Sequence, residues 1–397
     1  MIQDIFNKSF DIKNLKIIRK DPFNELVIEF LDEFSEKLKS DKNIYNFPDL
    51  IYLMFWTRKK ELLKYKNLII SNELRVGRGL AFHICPSNVP TNFFYSFIFG
   101  LLSGNSNLIK MPSIHSEQKK IILNILISLF KLKKFKEIKE TNNFIEYDHN
   151  FNDKFTSEIS LFCDARIVWG SDQTINKIAK FTKSQRAIDL FFPDRYSITS
   201  INLSEYSKLN ENKKMMLANR FFYDAYSMNQ NGCNSPHFLF WVGKKNKKQQ
   251  KIFWDHLNNI IQKKFNFKDI EIIEKYLSLL NTVIKNKKIE KYIKYKNNIY
   301  VIDASNIKSK IEDIRGLNGI FFEKNILNLG NLKNFISKKC QTMSYFGFHR
   351  KELEIFVYNN NIEGIDRMVP IGESLNIDLN WDGFDVIKTL SRIVALK

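Results

Sequence analysis

The sequence predicts an α/β fold built on a parallel sheet, and three observations indicate this class. Short apolar runs typical of buried strands alternate with longer segments of helical periodicity. The turns between them carry proline, glycine and asparagine, which favour chain reversal. The chain has 397 residues, more than the length at which single cores stop growing, so we expect two domains that share a cleft.

The predicted elements follow one another along the first half of the chain. Residues 1 to about 75 have the amphipathic spacing of helices. A strand–turn–helix–strand unit comes next, in the segments GLAFHIC, PSNVP, NFFYSFIFGLLS and NLIKMP. We then predict a helix from Ile121 to Phe135, a strand in ARIVWG and a helix in SDQTINKIAKF. Strands and helices that alternate at this spacing are typical of a parallel sheet.

The pattern changes after about residue 205. A long helix leads to a polar turn around Cys233, and the strand HFLFWV and a lysine-rich helical stretch follow. The runs KKNKKQQK (244–251) and KNKKIEKYIKYK (285–296) are typical of solvated helix faces. We therefore predict three segments: a first domain over 1–205, a second over 206–370, and a C-terminal segment, 371–397, that packs back on the first domain.

Composition excludes several classes of protein. The formal net charge of +19 would suit a nucleic-acid ligand, but the lysines are spread widely, so we favour a solvated surface and no nucleic acid. Cysteines at positions 85, 163, 233 and 340 are too scattered for a disulfide framework, which predicts a reduced, cytoplasmic protein. We find no signal-peptide core, no membrane span and no histidine or cysteine spacing typical of a metal site.

Cys233 has an unusual setting for a cysteine. It lies in the polar turn NQNGCNSP, whereas Cys85 and Cys163 lie in apolar runs that are typical of core thiols. Cys340 follows two lysines, so its neighbours fit either an exposed polar position or a core position. A glycine-containing polar turn can expose a thiolate to N–H donors. From the residues alone, a nucleophile and a structural thiol are equal alternatives for Cys233.

Three fragments place polar residues where predicted strands end. Asn88, in PSNVP, could donate its side-chain N–H to an oxyanion, or be an ordinary turn asparagine. Lys110, at the end of GNSNLIK, could bind a ribose or phosphate, or be an edge-strand lysine. Gly170 precedes a helix whose first N–H groups could face an anion. Without a G-x-G-x-x-G or Walker sequence, these fragments alone do not identify a nucleotide site.

Taken in order, PSNVP, GLLSGNSNLIKMPS, the Gly170–Ser171 turn and NQNGC resemble the aldehyde dehydrogenase superfamily. The ending GIDRMVPIGESLNIDLNWDGFDVIKTLSRIV and the motif CNSP look like the acyl-CoA reductase family that includes the fatty-acid reductase subunit of bacterial bioluminescence. The resemblance runs from about residue 75 to the C-terminus and is weak over 243–330. It implies an aldehyde-dehydrogenase-like fold with a Rossmann-type parallel-sheet nucleotide-binding domain and an α/β catalytic domain.

The resemblance also implies roles for individual residues. Cys233 would be the nucleophile, and Asn88 would donate to the oxyanion together with the backbone N–H of Cys233. The cofactor would be NADPH, with NADH as the alternative. Four residues would bind it: Ser87, Lys110, Gly170 and Ser171. Of these, Lys110 would hold the adenine ribose, and the Gly170–Ser171 turn would lie against the pyrophosphate.

Two departures from the superfamily pattern affect the expected activity. Hydrolytic aldehyde dehydrogenases carry a glutamate base in an E-L-G-G segment, but here Phe191 or Phe192 of DLFFPDRYSITSIN takes its place. Without that base an acyl-enzyme would persist until it is reduced, which favours NAD(P)H-dependent reduction of an acyl thioester to an aldehyde. The second departure is Asn234, where the family often has serine.

Other functions and partners stay open at this stage. An oxidising aldehyde dehydrogenase is one alternative, and a non-catalytic basic protein that binds an acidic partner is another. The acyl donor could be acyl-CoA, acyl carrier protein or an acyl-transferring partner enzyme, and acidic carrier protein would suit the basic composition. A monomer and a homo-oligomer are both compatible with the sequence.

Overall fold

The chain divides into two compact units in a computed structural model that describes residues 3–6, 10–69, 73–147, 152–285, 289, 291–308 and 310–396. The first unit comprises Met1–Asp194 and Ile377–Lys397, and the second comprises Arg195–Asn376. The division precedes residue 205, where the composition changes, because residues 196–202 form a strand inside the second sheet.

The first unit begins with helices and continues as alternating strands and helices. Its strands up to residue 194 are β1 (Gln3–Asp4), β2 (Arg75–Gly77), β3 (Leu80–Ile84), β4 (Ser106–Lys110), β5 (Asn142–Glu146), β6 (Ala165–Trp169) and β7 (Ile188–Phe192). Its helices are α1 (Glu25–Ser40), α2 (Pro48–Trp56), α3 (Lys59–Ile69), α4 (Asn92–Leu102), α5 (Glu117–Phe130), α6 (Lys136–Thr141), α7 (Asn152–Phe162) and α8 (Asp172–Ala179). The predicted strand–turn–helix–strand unit is confirmed as β3, α4 and β4.

The first sheet has the strand order β1-β5-β4-β3-β6-β7. Its strands run parallel except for β1, which pairs antiparallel with β5. Ile84 is paired with Lys110 on one side and with Val168 on the other, so the carboxyl ends of β3, β4 and β6 meet at one edge. In open parallel sheets this edge is where ligands bind.

The second unit contains another, mainly parallel sheet. Its strands are β8 (Tyr196–Asn202), β9 (Pro236–Val242), β10 (Tyr292–Tyr295), β11 (Ile299–Asp303), β12 (Ile320–Ile326), β13 (Cys340–Phe346) and β14 (Arg367–Pro370), in the order β10-β11-β12-β9-β8-β13-β14. Its helices are α9 (Leu203–Ser207), α10 (Glu211–Tyr226), α11 (Lys247–Lys264), α12 (Asp269–Lys285) and α13 (Arg350–Asn359). Both faces of β9 are buried, with Phe238 and Phe240 in one apolar cluster and Leu239 and Trp241 in another.

The lysine-rich run over 285–296 is only in part the helix face that its charge pattern predicts. Lys285 ends α12, but Tyr292–Tyr295 forms strand β10 and pairs antiparallel with β11. Residues 286–288 and 290 of the run lie outside the described residues. Lys296, with a φ of 51°, turns the chain between β10 and β11. Backbone pairing across this hairpin therefore decides the structure here, against the local charge pattern.

The C-terminal segment contains one small hairpin and joins the rest of the first unit through a separate antiparallel strand pair. Its elements are β15 (Asn380–Trp381), β16 (Phe384–Asp385), α14 (Val386–Leu390) and β17 (Ser391–Ile393), which pairs with β2. Asp382 and Gly383 connect β15 to β16 with φ values of 49° and 78°, the geometry that favours an Asp-Gly turn. The WDG motif is therefore a hairpin turn that precedes a short helix.

Two expected absences can be examined directly over the described part of the chain. None of its helices has both the length and the apolar composition needed to cross a membrane. The same residues contain no cluster of three or more His, Cys, Asp or Glu side chains placed to hold a metal ion.

Candidate functional site

Five of the six candidate site residues lie at the carboxyl edge of the first sheet. Ser87 and Asn88 are exposed in the turn that follows β3, and Lys110 is the last residue of β4. Gly170 and Ser171 follow β6 directly. Because β3 pairs with both β4 and β6, the carboxyl ends of these three strands lie side by side. Residues 87–88, 110 and 170–171 therefore lie along the same edge although they are distant in sequence.

A partly buried lysine, a helix N-terminus and a tight glycine turn lie at this edge. The Lys110 ammonium lies 4.9 Å from the ring centroid of Tyr147, and burial lowers the pKa of this lysine. Ser171 caps α8, since its Oγ accepts the backbone N–H of Thr174 at 3.3 Å. A Cβ atom at Gly170 would lie only 3.0 Å from the Thr174 side chain, so glycine permits the close approach of this turn to the helix.

Aromatic rings fill the end of β7, where the superfamily pattern would put a glutamate. Phe192 is 2% exposed and stacks on Trp169, with ring centroids 3.9 Å apart. Phe384, next to the WDG turn, packs edge to face against the Phe192 ring, and the two ring centroids are 6.2 Å apart. Phe191 is half-buried beside it. Phenylalanine offers no basic atom, so neither Phe191 nor Phe192 can activate water.

Cys233 belongs to the second unit, in the connection between α10 and β9. The chain leaves α10 at Tyr226 and reverses through Asn229 and Gln230, whose φ values are 48° and 60°. Asparagine tolerates this left-handed conformation, whereas glutamine adopts it less readily. The Ser235 N–H then donates to the Gly232 carbonyl at 2.9 Å, which closes a second tight turn around Cys233.

The side chain of Gln230 fixes this reversal. It is 3% exposed, and its Nε2 donates to the carbonyls of Ile320 at 3.0 Å and Pro236 at 3.2 Å. Its Oε1 accepts the Gly319 N–H at 2.7 Å. All of its polar atoms are thus paired inside the protein, as a buried amide requires. Gln230 therefore ties the Cys233 turn to the start of β12.

Cys233 itself is half-buried and is held at both its backbone and its thiol. Ser197 Oγ, on β8, donates to the Cys233 carbonyl at 2.7 Å and accepts the Thr342 N–H at 3.2 Å. Gln341 Nε2, on β13, donates to Cys233 Sγ at 3.3 Å, and Gln341 is 1% exposed. A hydrogen bond to the charged form of a group favours that form. The Gln341 amide therefore favours a thiolate at Cys233.

The other cysteines have a different environment. Cys85 and Cys163 are buried in the first unit, and burial raises the pKa of each thiol to about 12. Cys340 is 0% exposed, and burial raises the pKa of its thiol well above the usual range. The predicted core positions of Cys85 and Cys163 are confirmed, and Cys340 is also a core thiol. Thiolates are disfavoured at all three positions.

The segment GIDRMVPIGES supports the Cys233 turn from the other side. Asn234 Nδ2 donates to the Ser374 carbonyl at 2.8 Å, and Arg367 Nη1 donates to the same oxygen at 2.7 Å. Asp224, buried in α10, accepts the N–H groups of Gly372 at 2.7 Å and Ser374 at 3.0 Å. Burial raises the pKa of Asp224 to about 6. The hydrogen bond from Asn234 to the Ser374 carbonyl therefore explains why an amide side chain stands at position 234.

Two histidines that could transfer protons have structural positions. His237 Nδ1 lies 3.0 Å from the Gly316 carbonyl oxygen, and burial lowers the pKa of this imidazole to about 3. His349 is the N-cap of α13. The neutral, buried imidazole of His237 is therefore a poor general acid near neutral pH.

Sequence reasoning missed three residues of this site: Ser197, Gln230 and Gln341. Gln230 stands beside Cys233 in NQNGC, and a buried glutamine in a turn could have been suspected from the density of amides there. Ser197 and Gln341 lie near the starts of β8 and β13, and their only sequence signal is a polar residue inside an apolar strand. Their proximity to Cys233 follows from strand order, which no local pattern contains.

Replacing Gln341 by leucine should slow reactions of the Cys233 thiolate. We expect alkylation of Cys233 by iodoacetamide at neutral pH to slow about 10- to 100-fold, since hydrogen bonds to charged groups contribute roughly 1.5–3 kcal/mol. Gln250→Leu is a matched control, because Gln250 is also a buried glutamine of the second unit and donates to Asn325. Equal alkylation rates in wild type and both variants would contradict a role for the Gln341 amide.

The model of the family described as acyl-CoA reductase (LuxC) matches residues 58–393. A search of curated protein sequences found no match.

Solved structures resemble the chain at low sequence identity. AldH of Staphylococcus aureus, in a substrate-bound state, superposes with a TM-score of 0.60 at 12% identity, over 93% of this chain and 88% of that protein. Salicylaldehyde dehydrogenase from Pseudomonas putida G7 gives 0.63 at 11% identity, over 94% and 85%. Proline utilization A from Corynebacterium freiburgense gives 0.66 at 10% identity, over 96% of this chain and 42% of that one.

The two kinds of comparison establish different things. At these identities, the structural likeness shows the fold alone, and it confirms the predicted aldehyde-dehydrogenase-like α/β class. The family model covers most of the chain and confirms the family that the motifs indicate. The protein is therefore a member of the LuxC acyl-CoA reductase family, built on the aldehyde dehydrogenase fold.

Proposed function

We propose that this protein reduces an acyl thioester to an aldehyde with NADPH or NADH, through an acyl-cysteine at Cys233. The main support is the environment of the Cys233 thiol. Cys233 is a half-buried thiol with a buried amide donor at its sulfur, whereas the other three cysteines are buried thiols. A thiolate that is partly exposed and stabilised by an N–H donor is the form that acts as a nucleophile.

The first covalent step uses only Cys233 and the substrate. The Cys233 thiolate attacks the carbonyl carbon of the acyl thioester, and a new carbon–sulfur bond forms. The original carbon–sulfur bond then breaks, and the carrier thiol leaves as a thiolate that takes up a proton. The acyl group is now a thioester of Cys233, so one difficult reaction is divided into two easier ones.

Negative charge develops on the acyl oxygen whenever the carbonyl carbon becomes tetrahedral. We assign the backbone N–H of Cys233 and the side-chain N–H of Asn88 as the donors that stabilise this oxyanion. Donors fixed in advance are effective because they need not reorganise as the charge forms. The Ser197 hydroxyl supports the backbone donor, since its bond to the Cys233 carbonyl fixes the adjoining peptide.

The carboxyl edge of the first sheet suits a nicotinamide dinucleotide. We assign its binding to the turn residue Ser87, to Lys110 for the adenine ribose, and to Gly170 and Ser171 for the pyrophosphate. The half-buried lysine and the close turn at Gly170 fit a ribose and a phosphate group. Reduced nicotinamide, when bound, supplies the hydride that converts the acyl group to an aldehyde. Cys233 is then released as a thiolate.

Phe192 favours reduction over hydrolysis. Its ring is packed between Trp169 and Phe384, in the segment where a hydrolytic enzyme would carry its base. Since no base activates water from this position, we infer that the acyl-cysteine survives long enough to be reduced.

The acyl donor is carried by CoA, by acyl carrier protein or by an acyl-transferring enzyme. The net charge of +19 supports an acidic carrier, because opposite charges accelerate encounter. Four free thiols support a reducing, cytoplasmic location for the reaction.

The direct test follows oxidation of NADPH and of NADH by absorbance on addition of acyl-CoA or acyl carrier protein, with the aldehyde trapped and identified. We expect oxidation that depends on the thioester and yields one aldehyde per nicotinamide oxidised. Faster, salt-sensitive reaction with carrier-bound acyl groups would identify the carrier as the donor. Carboxylate formed from added aldehyde, without reaction of any thioester, would contradict the proposal in favour of an oxidising dehydrogenase.

A further inference from the structure

The second unit contains a cavity of about 160 Å³ at the carboxyl ends of β9, β11 and β12. Its lining includes Trp241 of β9, Asp303 at the end of β11 and Glu323 of β12. Cys233 lies before Pro236, the first residue of β9, whereas Trp241 lies five residues further along the strand. Roughly 17 Å of strand therefore separates the cavity from the end of β9 that is next to Cys233.

The carboxylate of Glu323 is the first polar feature of this cavity. Trp241 Nε1 donates to Glu323 Oε2 at 2.9 Å, and Trp254 Nε1 donates to the same oxygen at 2.8 Å. Burial raises the pKa of Glu323, and the two indole N–H groups oppose this shift. The other oxygen, Oε1, has no hydrogen-bond partner among the described residues. Glu323 can therefore accept a hydrogen bond from a ligand while the buried indoles hold it in place.

The phenol of Tyr295 is the second polar feature. Its hydroxyl oxygen is buried and lacks a hydrogen-bond partner within the part of the chain that the structure describes. Burial raises the pKa of Tyr295 far above its ordinary value, and the charges of Asp255 and Glu323 add to this shift. The hydroxyl therefore keeps its proton and can donate it to a hydrogen bond. Since buried hydroxyls are normally paired, an unpaired one in the lining of a cavity is suited to a ligand that carries an acceptor.

Exposed lysines surround the cavity. Lys245, Lys247 and Lys291 line it, and none of the three makes an ion pair with another described residue. A fourth, Lys251, pairs with Asp255 at 2.7 Å. Helix α11 begins at Lys247, so its first backbone N–H groups add to the positive potential. An anionic group of a ligand would therefore be attracted to this side of the cavity.

The rest of the lining limits what can enter. It is mostly aromatic and aliphatic: Trp241, Trp254, Tyr292, Ile293 and Val301. The volume of about 160 Å³ is close to that of an engineered cavity of about 150 Å³ that binds benzene. The cavity therefore admits one planar ring system, and any larger substituent of that ring must lie outside, among the lysines.

We propose that this cavity binds a mononucleotide, with the base against Glu323 and Tyr295 and the phosphate among Lys245, Lys247 and Lys291. Nucleobases are planar and place an N–H donor beside an acceptor, as adenine does with N6–H and N7. Such a pair fits Glu323 Oε1, which accepts, and the Tyr295 hydroxyl, which donates. The site lies at the opposite edge of the sheet from Cys233 and does not depend on the proposed reaction.

The first test titrates the full-length protein with AMP, GMP, CMP and UMP and measures the heat of binding. We expect at least one of the four to bind, and the preferred one identifies the base. The corresponding nucleoside, which lacks the phosphate, should bind about tenfold more weakly. A protein that binds none of the four mononucleotides would overturn the proposal.

Tyr295→Phe is the most selective variant, because it removes one hydroxyl and keeps the ring. Nucleotide affinity should fall about three- to tenfold, while the thermal unfolding temperature should not fall, since the hydroxyl has no partner to lose. Tyr206→Phe is the matched control, because the Tyr206 hydroxyl is also buried and unpaired among the described residues but lies outside the cavity. Equal nucleotide affinity in wild type and both variants would overturn the assignment of the base.

Two further substitutions test the carboxylate and the lysines. Glu323→Gln should weaken nucleotide binding about 10- to 100-fold, because the single amide oxygen is taken by the indoles and an N–H group then faces the base. Lys291→Gln should weaken the nucleotide and leave the nucleoside unchanged. Lys248→Gln should change neither, since Lys248 is exposed on α11 and does not line the cavity.

A final variant separates this cavity from the cofactor residues of the first unit. Lys110→Ala should leave the affinity for the mononucleotide unchanged. Binding that is lost in Lys110→Ala but kept in Tyr295→Phe and Glu323→Gln would place the nucleotide in the first unit and overturn the proposal. None of these measurements uses catalytic activity, so they stand apart from any failure of the proposed reaction.

Discussion

Replacing Cys233 by alanine is expected to abolish thioester-dependent oxidation of reduced nicotinamide, with a loss of about 10⁴-fold or more. Removing a catalytic nucleophile eliminates the covalent route altogether, and such losses are among the largest seen for single substitutions. Cofactor affinity should remain nearly unchanged, because the residues assigned to the cofactor lie in the first unit and Cys233 lies in the second. Single-turnover absorbance measurements and a separate cofactor titration would check both parts.

Cys163→Ala is the matched control for this experiment. Cys163 is 1% exposed, and burial raises the pKa of its thiol to about 12, so it should neither be alkylated quickly nor contribute to turnover. Its loss should cost stability through a small cavity and leave turnover intact. If Cys233→Ala kept the thioester-dependent turnover of the wild type, an acyl-cysteine at Cys233 would be contradicted. If Cys163→Ala lost turnover, Cys163 would become the candidate nucleophile.

The second large effect is expected at Asn88. Asn88→Ala should lower turnover about 10²–10³-fold, the usual cost of removing one oxyanion donor. The side chain is exposed in the turn after β3, so the substitution should lower the free energy of unfolding by much less than it raises the activation free energy of turnover. Turnover at saturating substrate and cofactor, together with thermal unfolding of the same preparation, would separate the two effects.

Asn124→Ala provides the comparison, since Asn124 is another exposed asparagine of the first unit, located on α5. It should leave turnover and unfolding unchanged. If Asn88→Ala were equally silent, Asn88 would have no part in the mechanism. If it weakened cofactor binding as strongly as turnover, the turn would act on the cofactor and not on the oxyanion.

The first unit was largely predictable because its signals are local. A buried parallel strand is a short apolar run, and LAFHI and ARIVW have every residue buried. Ser171 was recognisable as a helix cap from its position before α8, and it does accept the Thr174 N–H. The edge that holds Asn88, Lys110 and Gly170 then follows from the rule that parallel strands end on the same side.

The surroundings of Cys233 were not predictable in the same way. The Gln341 amide contacts the thiol across 108 residues of sequence, and Gln230 reaches Ile320 across 90. Such contacts exist only once β8, β9, β12 and β13 are arranged in their observed order. A polar residue in a strand is visible in the sequence, but the partner that satisfies it is not.

The lysine-rich region shows a further limit of local patterns. Tyr292–Tyr295 belongs to the lysine-rich run over 285–296, whose charge pattern predicts a helix face, yet it forms strand β10. A hairpin with β11 supplies backbone hydrogen bonds that the local charge pattern does not encode. Helix α12 shows the same limit, because the sequence does not reveal that Ile270, Leu277 and Ile284 are exposed.

The hydrogen bonds of the Gln230 amide have a consequence for the order in which the Cys233 turn folds. Its hydrogen bonds join the turn before β9 to Gly319 and Ile320, so the turn cannot reach its final shape until β12 has docked beside β9. Closing a loop of this length is slow compared with forming the neighbouring helix α10. Helix α10 can therefore form before β12 docks and completes the turn that holds Cys233.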